Sequence, residues 1–222
     1  MSKKTLTEIL TVGEKLDFIS THGINLDNKL IYMCGDIELN QGMILRQKYD
    51  MIKTYWDHFS RENKLTKKEK KEIFNTITII LNSFGGEACA ILSVLDFYDY
   101  ILQVDNIKTN ILADTNCYSA ATWMVAGATG TRGATKRCRF MVHEIQITGI
   151  GGTLTQAKST QQEIERQQEE LYELYATLTN KNKKLSSSEL EKQIKYWKEL
   201  CFKETYLSST EALKLGLIDF YI

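Results

Sequence analysis

A serine lies where a predicted strand passes into a predicted helix. Ser119 follows the apolar core Ile111–Ala113 and the polar residues 114–116, and it precedes a small, apolar, helix-compatible stretch that reaches Gly127. This pattern predicts a short buried strand that leads into a turn. At such a join the first N–H groups of the helix are unpaired and the helix dipole favours negative charge, so an oxyanion could be formed and stabilised there. The simpler interpretation is that Ser119 is the N-cap of a buried helix.

A second candidate for chemistry is the turn that contains Gly85 and Gly86. It comes shortly after the β-branched run Ile77–Leu81, which is typical of a strand buried on both faces, and before an amphipathic helix predicted over Glu87–Leu102. Glycines allow a sharp turn and close approach of the backbone to another group. The turn could present an N–H group to an oxyanion or to a peptide backbone. A nucleotide site is disfavoured, because the stretch lacks both the GxGxxG spacing and the lysine of a P-loop.

The third candidate is His143, which ends a strand predicted over Arg137–His143. A single histidine at a strand end is more often structural than catalytic. His22 and His58 lack such a setting, and we interpret them as surface or core residues. The five cysteines are odd in number, scattered and without a CxxC pair, which indicates reduced thiols rather than a disulfide framework or a zinc site.

Composition excludes several functional classes. The chain has 222 residues, with 28 basic and 28 acidic side chains and a formal net charge of zero, so nothing global indicates nucleic acid or an anionic membrane as a partner. No apolar run is long enough to span a bilayer, and the N-terminus lacks the apolar core of a signal peptide. We therefore expect a cytoplasmic protein that consists of one large domain, or of one domain with an appendage.

The elements that must position these residues alternate along the chain. Residues 1–27 are predicted to form an N-terminal arm, and residues 65–72 form a charged, solvated segment. The remaining pattern predicts the following elements: strands Leu30–Cys34, Ile77–Leu81, Ile111–Ala113 and Arg137–His143; helices Met43–Phe59, Glu87–Leu102, Ala157–Asn180 and Glu189–Lys203; and a C-terminal short helix with Gly216 as its C-cap, followed by a final strand. This alternation favours an α/β architecture with a largely parallel sheet. The ligand crevice of such a sheet lies at the carboxyl ends of the strands, which both the Gly-Gly turn and Ser119 follow.

The long helix predicted over residues 157–180 carries an apolar stripe on an otherwise polar surface. The stripe comprises Ile164, Leu171, Leu174, Tyr175 and Leu178. It could pack on its own domain or against a partner helix, in the same chain or in another subunit.

Five segments, in one order over roughly residues 30–219, resemble the ClpP serine peptidases. The stretch ILNSFGGEA is similar to their strand and Gly-Gly turn, and TNCYSAATWMVAGATGTRG to their nucleophile segment. RCRFMVHE is similar to their catalytic-histidine strand. GIGGTLTQAKSTQQEIE is similar to their Gly-rich segment and handle helix, and TYLSSTEALKLGLID to their C-terminal signature. Each segment alone is weakly specific, but the five together are strong.

The resemblance implies a fold and a domain division. The fold would be the ClpP/crotonase-like α/β fold, with mainly parallel sheets and a protruding handle helix at about residues 157–180. The peptidase domain would cover residues 28–222 and follow the arm formed by residues 1–27.

The resemblance also implies a serine endopeptidase with a Ser-His-acid triad and with no metal or cofactor. Ser119 would be the nucleophile and His143 the general base. The N–H groups of Gly86 and Ala120 would form the oxyanion hole. The extended segment with Gly149, Ile150 and Gly151 would pair with the substrate backbone by strand addition.

The chain departs from the family pattern at several positions. Phe84 replaces the proline before Gly-Gly, Thr115 replaces a glycine four residues before the nucleophile, and Ala120 and Ala121 stand where Met and Gly are usual. Residues 62–75 resemble an insertion.

The acid of the triad is the largest departure from the family pattern. Leu200 stands where the family has its aspartate, in a segment about one helical turn longer than usual. The adjacent Glu199 is our predicted acid, and Glu204 is the second choice.

The partners implied are a second copy of the chain, in stacked rings that enclose a chamber, and a peptide or an unfolded protein as substrate. A Clp-type system would add an AAA+ unfoldase, although the N-terminal arm does not resemble the axial loops of ClpP. Three other functions remain open: a phage-type prohead or capsid-processing peptidase with the same core, a catalytically silent ring subunit, and a crotonase-type acyl-CoA enzyme. The catalytic lysine and the membrane anchor of a signal-peptide-peptidase relative are not evident.

Overall fold

The computed structural model describes residues 10–147, 149, 151–181 and 183–222. The helices in this part of the chain are α1 (Val12–His22), α2 (Gln41–Glu62), α3 (Lys67–Ile73), α4 (Ala90–Asp105), α5 (Ala120–Ala126), α6 (Leu154–Leu178), α7 (Ser187–Phe202) and α8 (Ser209–Lys214). The strands are β1 (Ile24–Asn25), β2 (Leu30–Cys34), β3 (Thr76–Ser83), β4 (Lys108–Tyr118), β5 (Arg132–Ala134), β6 (Arg139–Val142), β7 (Thr205–Ser208) and β8 (Phe220–Tyr221).

The strands form one mixed sheet in which most neighbours are parallel, so the predicted α/β class is confirmed. The order is β1-β2-β3-β4-β5-β8, with β6 paired to β4 and β7 paired to β6. Only the β1–β2 and β6–β7 pairs are antiparallel among the described strands. The carboxyl ends of β3, β4 and β6 consequently lie at one edge of the sheet, and the candidate residues follow those ends.

The burial of β3 differs from the prediction. Its residues alternate between half-buried and buried, and the buried set is Ile77, Ile79, Leu81 and Ser83. The prediction that this strand is buried on both faces was therefore wrong, because its second face is only partly covered. A run of β-branched residues fits a half-buried strand as well as a fully buried one.

β4 is longer than predicted because it contains a bulge. It pairs with β3 and β5 through Ile111–Ala113, and then with β6 through Asn116–Tyr118. Between these blocks β4 advances four residues while β3 advances two. The turn predicted at residues 114–116 is this bulge, and Thr115 there has φ of 61°, in the left-handed region that glycine adopts most easily.

The described part of the N-terminal arm, residues 10–27, contains α1 and joins the sheet at its end. β1 pairs with β2, and Ile24 and Leu26 are buried in the core. Residues 62–75, predicted to be an insertion, contain the short helix α3. Phe74 at the end of α3 stacks on Trp56 and attaches this segment to α2.

α6 corresponds to the predicted handle helix but begins three residues earlier, at Leu154. Thr153, two residues after Gly151, is its N-cap and forms a capping box with Gln156, which fixes the start of the helix. Every buried residue of α6 lies between Leu171 and Ala176. The N-terminal half of the helix therefore stands away from the core.

Neither a membrane span nor a metal cluster is found in the described part of the chain. None of its helices is long and apolar enough to cross a bilayer. No group of three or more His, Cys, Asp or Glu side chains there could hold a metal ion.

Candidate active site

The Gly-Gly turn after β3 is shaped by two close approaches. A Cβ atom on Gly85 would lie 2.6 Å from the Cβ of Ser119, and one on Gly86 would lie 2.3 Å from the carbonyl oxygen of Ile37. Both glycines also have positive φ, of 103° and 146°. Any larger residue would push the turn away from Ser119 or from the segment after β2, so the glycines allow the turn to lie against the serine.

Ser119 occupies a strained backbone position between β4 and α5. Its φ and ψ are 53° and −129°, outside the regions that non-glycine residues normally adopt. Ser119 precedes α5, but its side chain makes no capping hydrogen bond. The N-cap interpretation is therefore wrong for the hydroxyl, which is left free for another partner.

That partner is His143, the first residue after β6. Its Nε2 lies 2.7 Å from Ser119 Oγ, within hydrogen-bonding distance. β6 lies beside the end of β4, and Ser119 N–H donates to the carbonyl oxygen of Met141 at 2.7 Å. The parallel pairing of the two strands thus brings a serine and a histidine that are 24 residues apart into contact, in the geometry of a nucleophile and its general base.

The N–H groups predicted to form the oxyanion hole are those of Gly86 and Ala120, and both are left unpaired by the described elements around them. Ile37 N–H donates to Gly85 O, and Glu87 N–H donates to Ile37 O. Because successive N–H groups of an extended segment point to opposite sides, Gly86 N–H points away from Ile37. Ala120 is the first residue of α5, so its N–H has no acceptor within the helix.

The predicted acids do not contact the histidine. Glu199 is exposed on α7, and the carboxylate of Glu204 accepts a hydrogen bond of 3.3 Å from the hydroxyl of Tyr206. Within the described residues, His143 makes one hydrogen bond, the one to Ser119. Glu199 is kept away from His143 because α7 continues to Phe202 and carries residues 199 and 200 within its last turns.

A cleft of about 460 Å³ opens at the Ser119–His143 pair. Its lining includes Phe84, Gly86, Trp123 and Met141 in addition to the pair. This combination of apolar walls and a few polar groups suits a peptide side chain next to a reactive bond.

The predicted substrate-pairing segment follows His143 along the chain. Gly149 and Gly151 are exposed, with open space where a side chain would be. Ile150, predicted with them, lies outside the described residues.

Cysteine chemistry is disfavoured near the serine. Cys117 is two residues before Ser119 and is fully buried, and this burial raises the pKa of its thiol well above the usual value. Burial likewise raises the pKa of Cys201 to about 12. Neither residue is a thiolate near neutral pH, so both behave as small apolar side chains.

Sequence reasoning missed the polar side chains of α6 that bond to the segments after Ser119 and after His143. Tyr175 was interpreted as part of an apolar stripe, yet its hydroxyl lies 2.5 Å from Thr122 Oγ1. Gln168 and Tyr172 also bond to the segment after His143. Their spacing of four and then three residues places them on one helix face, but the partners lie far away in sequence and carry no local signal.

Comparison with known proteins gives a consistent result. The sequence model described as Clp protease matches residues 62–222. The chain is 30% identical over 146 residues to an ATP-dependent Clp protease proteolytic subunit of Ostreococcus tauri. The aligned segment covers 65% of this chain and 64% of the relative. It is 31% identical over 146 residues to the subunit of the same name in Bacteroides thetaiotaomicron, covering 64% of this chain and 58% of the relative. It is 24% identical over 143 residues to subunit 2 of Corynebacterium jeikeium, with 64% and 62% covered. The matched segment thus spans about three fifths of the length of each relative.

Proposed function

The chain belongs to the Clp protease family, and on that basis we propose that it is a serine endopeptidase in which Ser119 attacks the peptide bond. The observation that carries the proposal is the 2.7 Å contact between Ser119 Oγ and His143 Nε2, at a strained join between a strand and a helix. Strained backbone at the nucleophile recurs where a serine hydroxyl must be held clear of a sheet.

The first half of the reaction forms an acyl-enzyme. His143 Nε2 takes the hydroxyl proton of Ser119 while Oγ forms a bond to the substrate carbonyl carbon. The carbonyl oxygen becomes an oxyanion, and the N–H groups of Gly86 and Ala120 donate to it. The C–N bond then breaks, and the proton on His143 passes to the leaving amine.

The second half of the reaction releases the product. Water attacks the acyl carbon as His143 takes one of its protons. The tetrahedral intermediate collapses, the proton returns to Ser119 Oγ, and a free carboxylic acid leaves. Two backbone donors at the oxyanion supply a large part of the rate, since removing one such donor typically costs about 10²- to 10³-fold.

Glu204 is a better candidate than Glu199 for the acid. The antiparallel register pairs Val142 with Thr205 at the ends of β6 and β7, so Glu204 and His143 are the next residues beyond this pair. Glu204 has φ of 48°, and the bond that holds its carboxylate to Tyr206 is long. Rotation of this side chain toward His143 would complete a triad, whereas Glu199 lies on the exposed surface of α7.

The substrate would be an extended peptide. The exposed backbone around Gly149 and Gly151 offers hydrogen-bonding groups to a strand laid across the cleft. We further propose that copies of the chain assemble into rings that enclose this site. The N-terminal half of α6 carries no buried residue and offers a long exposed helix for contact with another copy. Assembly would restrict access to unfolded or short chains.

A silent ring subunit is the second candidate function. The observation that favours it is the absence, within the described residues, of a carboxylate in contact with His143. Such a subunit would assemble into rings without reacting at Ser119.

One experiment separates the two functions. The purified protein is treated with a fluorophosphonate, examined by intact mass and peptide mapping, and sized by light scattering. The peptidase predicts one adduct on Ser119, none in Ser119→Ala, and an unchanged adduct in Ser159→Ala, which alters an exposed serine of α6. A ring without an adduct would reject the peptidase and support the silent subunit.

A further inference from the structure

One face of α6 makes hydrogen bonds to residues that follow Ser119 and to residues that follow His143. Gln168, Tyr172 and Tyr175 follow one another at spacings of four and three residues and therefore share a face of the helix. We call these three side chains the α6 brace. All three lie in the C-terminal half of the helix, the part that packs on the domain.

The brace contacts the nucleophile side through a buried relay. Tyr175 OH lies 2.5 Å from Thr122 Oγ1, and Thr122 Oγ1 donates to the carbonyl oxygen of Ser119 at 2.6 Å. Since the single hydroxyl proton of Thr122 is used in that bond, the Tyr175 hydroxyl is the donor to Thr122. Both side chains are completely buried, and the ring of Tyr175 stacks on Trp197 at 4.4 Å. The relay therefore connects α6 to the strained backbone of the serine through rigid groups.

The brace contacts the base side at the two residues after His143. Tyr172 OH donates to the Glu144 carboxylate at 2.9 Å, and Ile145 N–H donates to Gln168 Oε1 at 2.5 Å. Tyr172 is buried, so its hydroxyl is fixed in place. These bonds hold the backbone that leaves β6 and thereby set the position from which the imidazole reaches Ser119.

We propose that Gln168, Tyr172 and Tyr175 are positioning residues that hold the nucleophile and the base at hydrogen-bonding separation by tying both segments to α6. This inference rests on the proposed serine peptidase function. The physical reason is that, within the described residues, Ser119 is the one group that hydrogen-bonds the His143 ring. The position of the ring therefore depends on the backbone of the segment that carries His143. A displacement of about 1 Å at such a pair can cost on the order of 100-fold in rate.

The test uses variants of the full chain that remove one hydrogen bond each. Tyr175→Phe, Tyr172→Phe and Gln168→Met keep the shape and lose the polar group, while Gln168→Glu keeps the acceptor for Ile145 N–H. Arg166→Gln, on the exposed face of α6, is the control for changes to the helix itself. The inactivation rate constant kinact and the binding constant KI of a fluorophosphonate are measured separately.

We expect Tyr175→Phe and Gln168→Met to lower kinact at least tenfold with KI changed less than twofold. Gln168→Glu should recover kinact to within threefold of the unaltered protein, and Arg166→Gln should leave it unchanged. Gln168 is only half-buried, so its pair of variants keeps the test decisive even where Tyr175→Phe does not fold. Values of kinact within twofold for both Gln168 variants would overturn the proposal.

A second readout separates the brace from the proposed function. The ring-nitrogen chemical shifts of His143, assigned by comparison with His143→Gln, report its hydrogen bond to Ser119 whether or not the protein is active. We expect these shifts to move in Gln168→Met and to return in Gln168→Glu. A protein that is not labelled yet shows these changes would reject the peptidase and retain the brace. Labelling of Ser119 at the same rate in the Gln168 variants, with unchanged ring-nitrogen shifts, would support the peptidase and reject the brace.

Discussion

Gly85 lies so close to Ser119 that a Cβ atom on the glycine would sit 2.6 Å from the Cβ of the serine. Real Cβ atoms do not approach so closely, so the turn after β3 and the nucleophile can adopt this arrangement only with glycine at position 85. The contact ties the geometry of the proposed oxyanion hole to the position of the nucleophile.

We predict that Gly85→Ala slows fluorophosphonate labelling of Ser119 by at least tenfold, because the turn must move away from the serine. Gly35→Ala is the matched control, since Gly35 has a similar φ of 111° but open space around it. Both variants introduce backbone strain, and only the first introduces a clash. Labelling rates and thermal unfolding of both proteins provide the measurement. Equal labelling rates in the two variants would show that the clash has no effect on the site.

Thr115→Gly should raise the free energy of unfolding by about 0.5–1 kcal/mol. A β-branched residue in the left-handed region costs about 1–2 kcal/mol, and the greater chain entropy of glycine in the unfolded state offsets about half of the gain. Thr76→Gly, in the regular strand β3, should show the opposite sign. Urea denaturation of both variants measures the change in the free energy of unfolding. A loss of stability in Thr115→Gly comparable to that in Thr76→Gly would contradict the strain argument.

Local signals predicted most of the secondary structure. β2 was predicted with its observed bounds, and the helix predicted over Glu189–Lys203 is α7, which begins two residues earlier, at Ser187. The bulge at residues 114–116 was not predicted, because it marks where β4 changes its neighbour from β5 to β6. That exchange depends on strands distant in sequence, which no local pattern reports.

The sequence also predicted part of the candidate site, namely the serine and the histidine. Ser119 and His143 were identified from segments that resemble a family, and the structure brings them together. Glu199 was chosen because it is adjacent to Leu200, which stands at the family's aspartate position. It lies on an exposed face of α7 because the helix continues through that point. Contacts such as Tyr175 with Thr122 link residues 53 positions apart and can be found only after the helices are packed.

The ion pair between the buried Arg132 and the partly exposed Asp219 predicts a dependence of stability on pH. The Arg132 side chain is 3% exposed and bonds to both oxygens of Asp219 and to the carbonyl oxygen of Leu178. Partial burial pushes the pKa of Asp219 upward, but the hydrogen bonds and charge of Arg132 outweigh it and hold this pKa below its usual value. The stabilisation is therefore fully present above the usual carboxyl pKa of about 4, and it is lost as the pH falls through the lowered value.

We predict that Asp219→Asn lowers the free energy of unfolding at pH 7 by about 1.5 kcal/mol, less than for a fully buried pair, because Asp219 is partly exposed to solvent and the amide retains an acceptor oxygen. It should also reduce the loss of stability between pH 5 and pH 2. Urea denaturation across this range is the measurement. Glu163→Gln, which breaks an exposed pair with Arg166, is the control and should change stability little. If Asp219→Asn lost as much stability between pH 5 and pH 2 as the unaltered protein, the Arg132–Asp219 pair would not be the source of the pH dependence.

The last prediction concerns the acid that would complete the triad. Glu204→Gln should lower the labelling rate of Ser119 at least tenfold, whereas Glu199→Gln should leave it unchanged. The reason is that Glu204 and His143 both adjoin the last pair of the β6–β7 register, while residue 199 is exposed on α7. A carboxylate beside the imidazole fixes its tautomer and stabilises the imidazolium, and its loss can cost up to about 10⁴-fold in other serine peptidases.

Tyr206→Phe, which frees Glu204 from its present partner, should keep or raise the rate. A slow Glu199→Gln variant would restore the sequence-based assignment. Unchanged rates in both glutamate variants would mean that Ser119 and His143 react as a dyad, with the position of the imidazole set by the backbone that α6 holds.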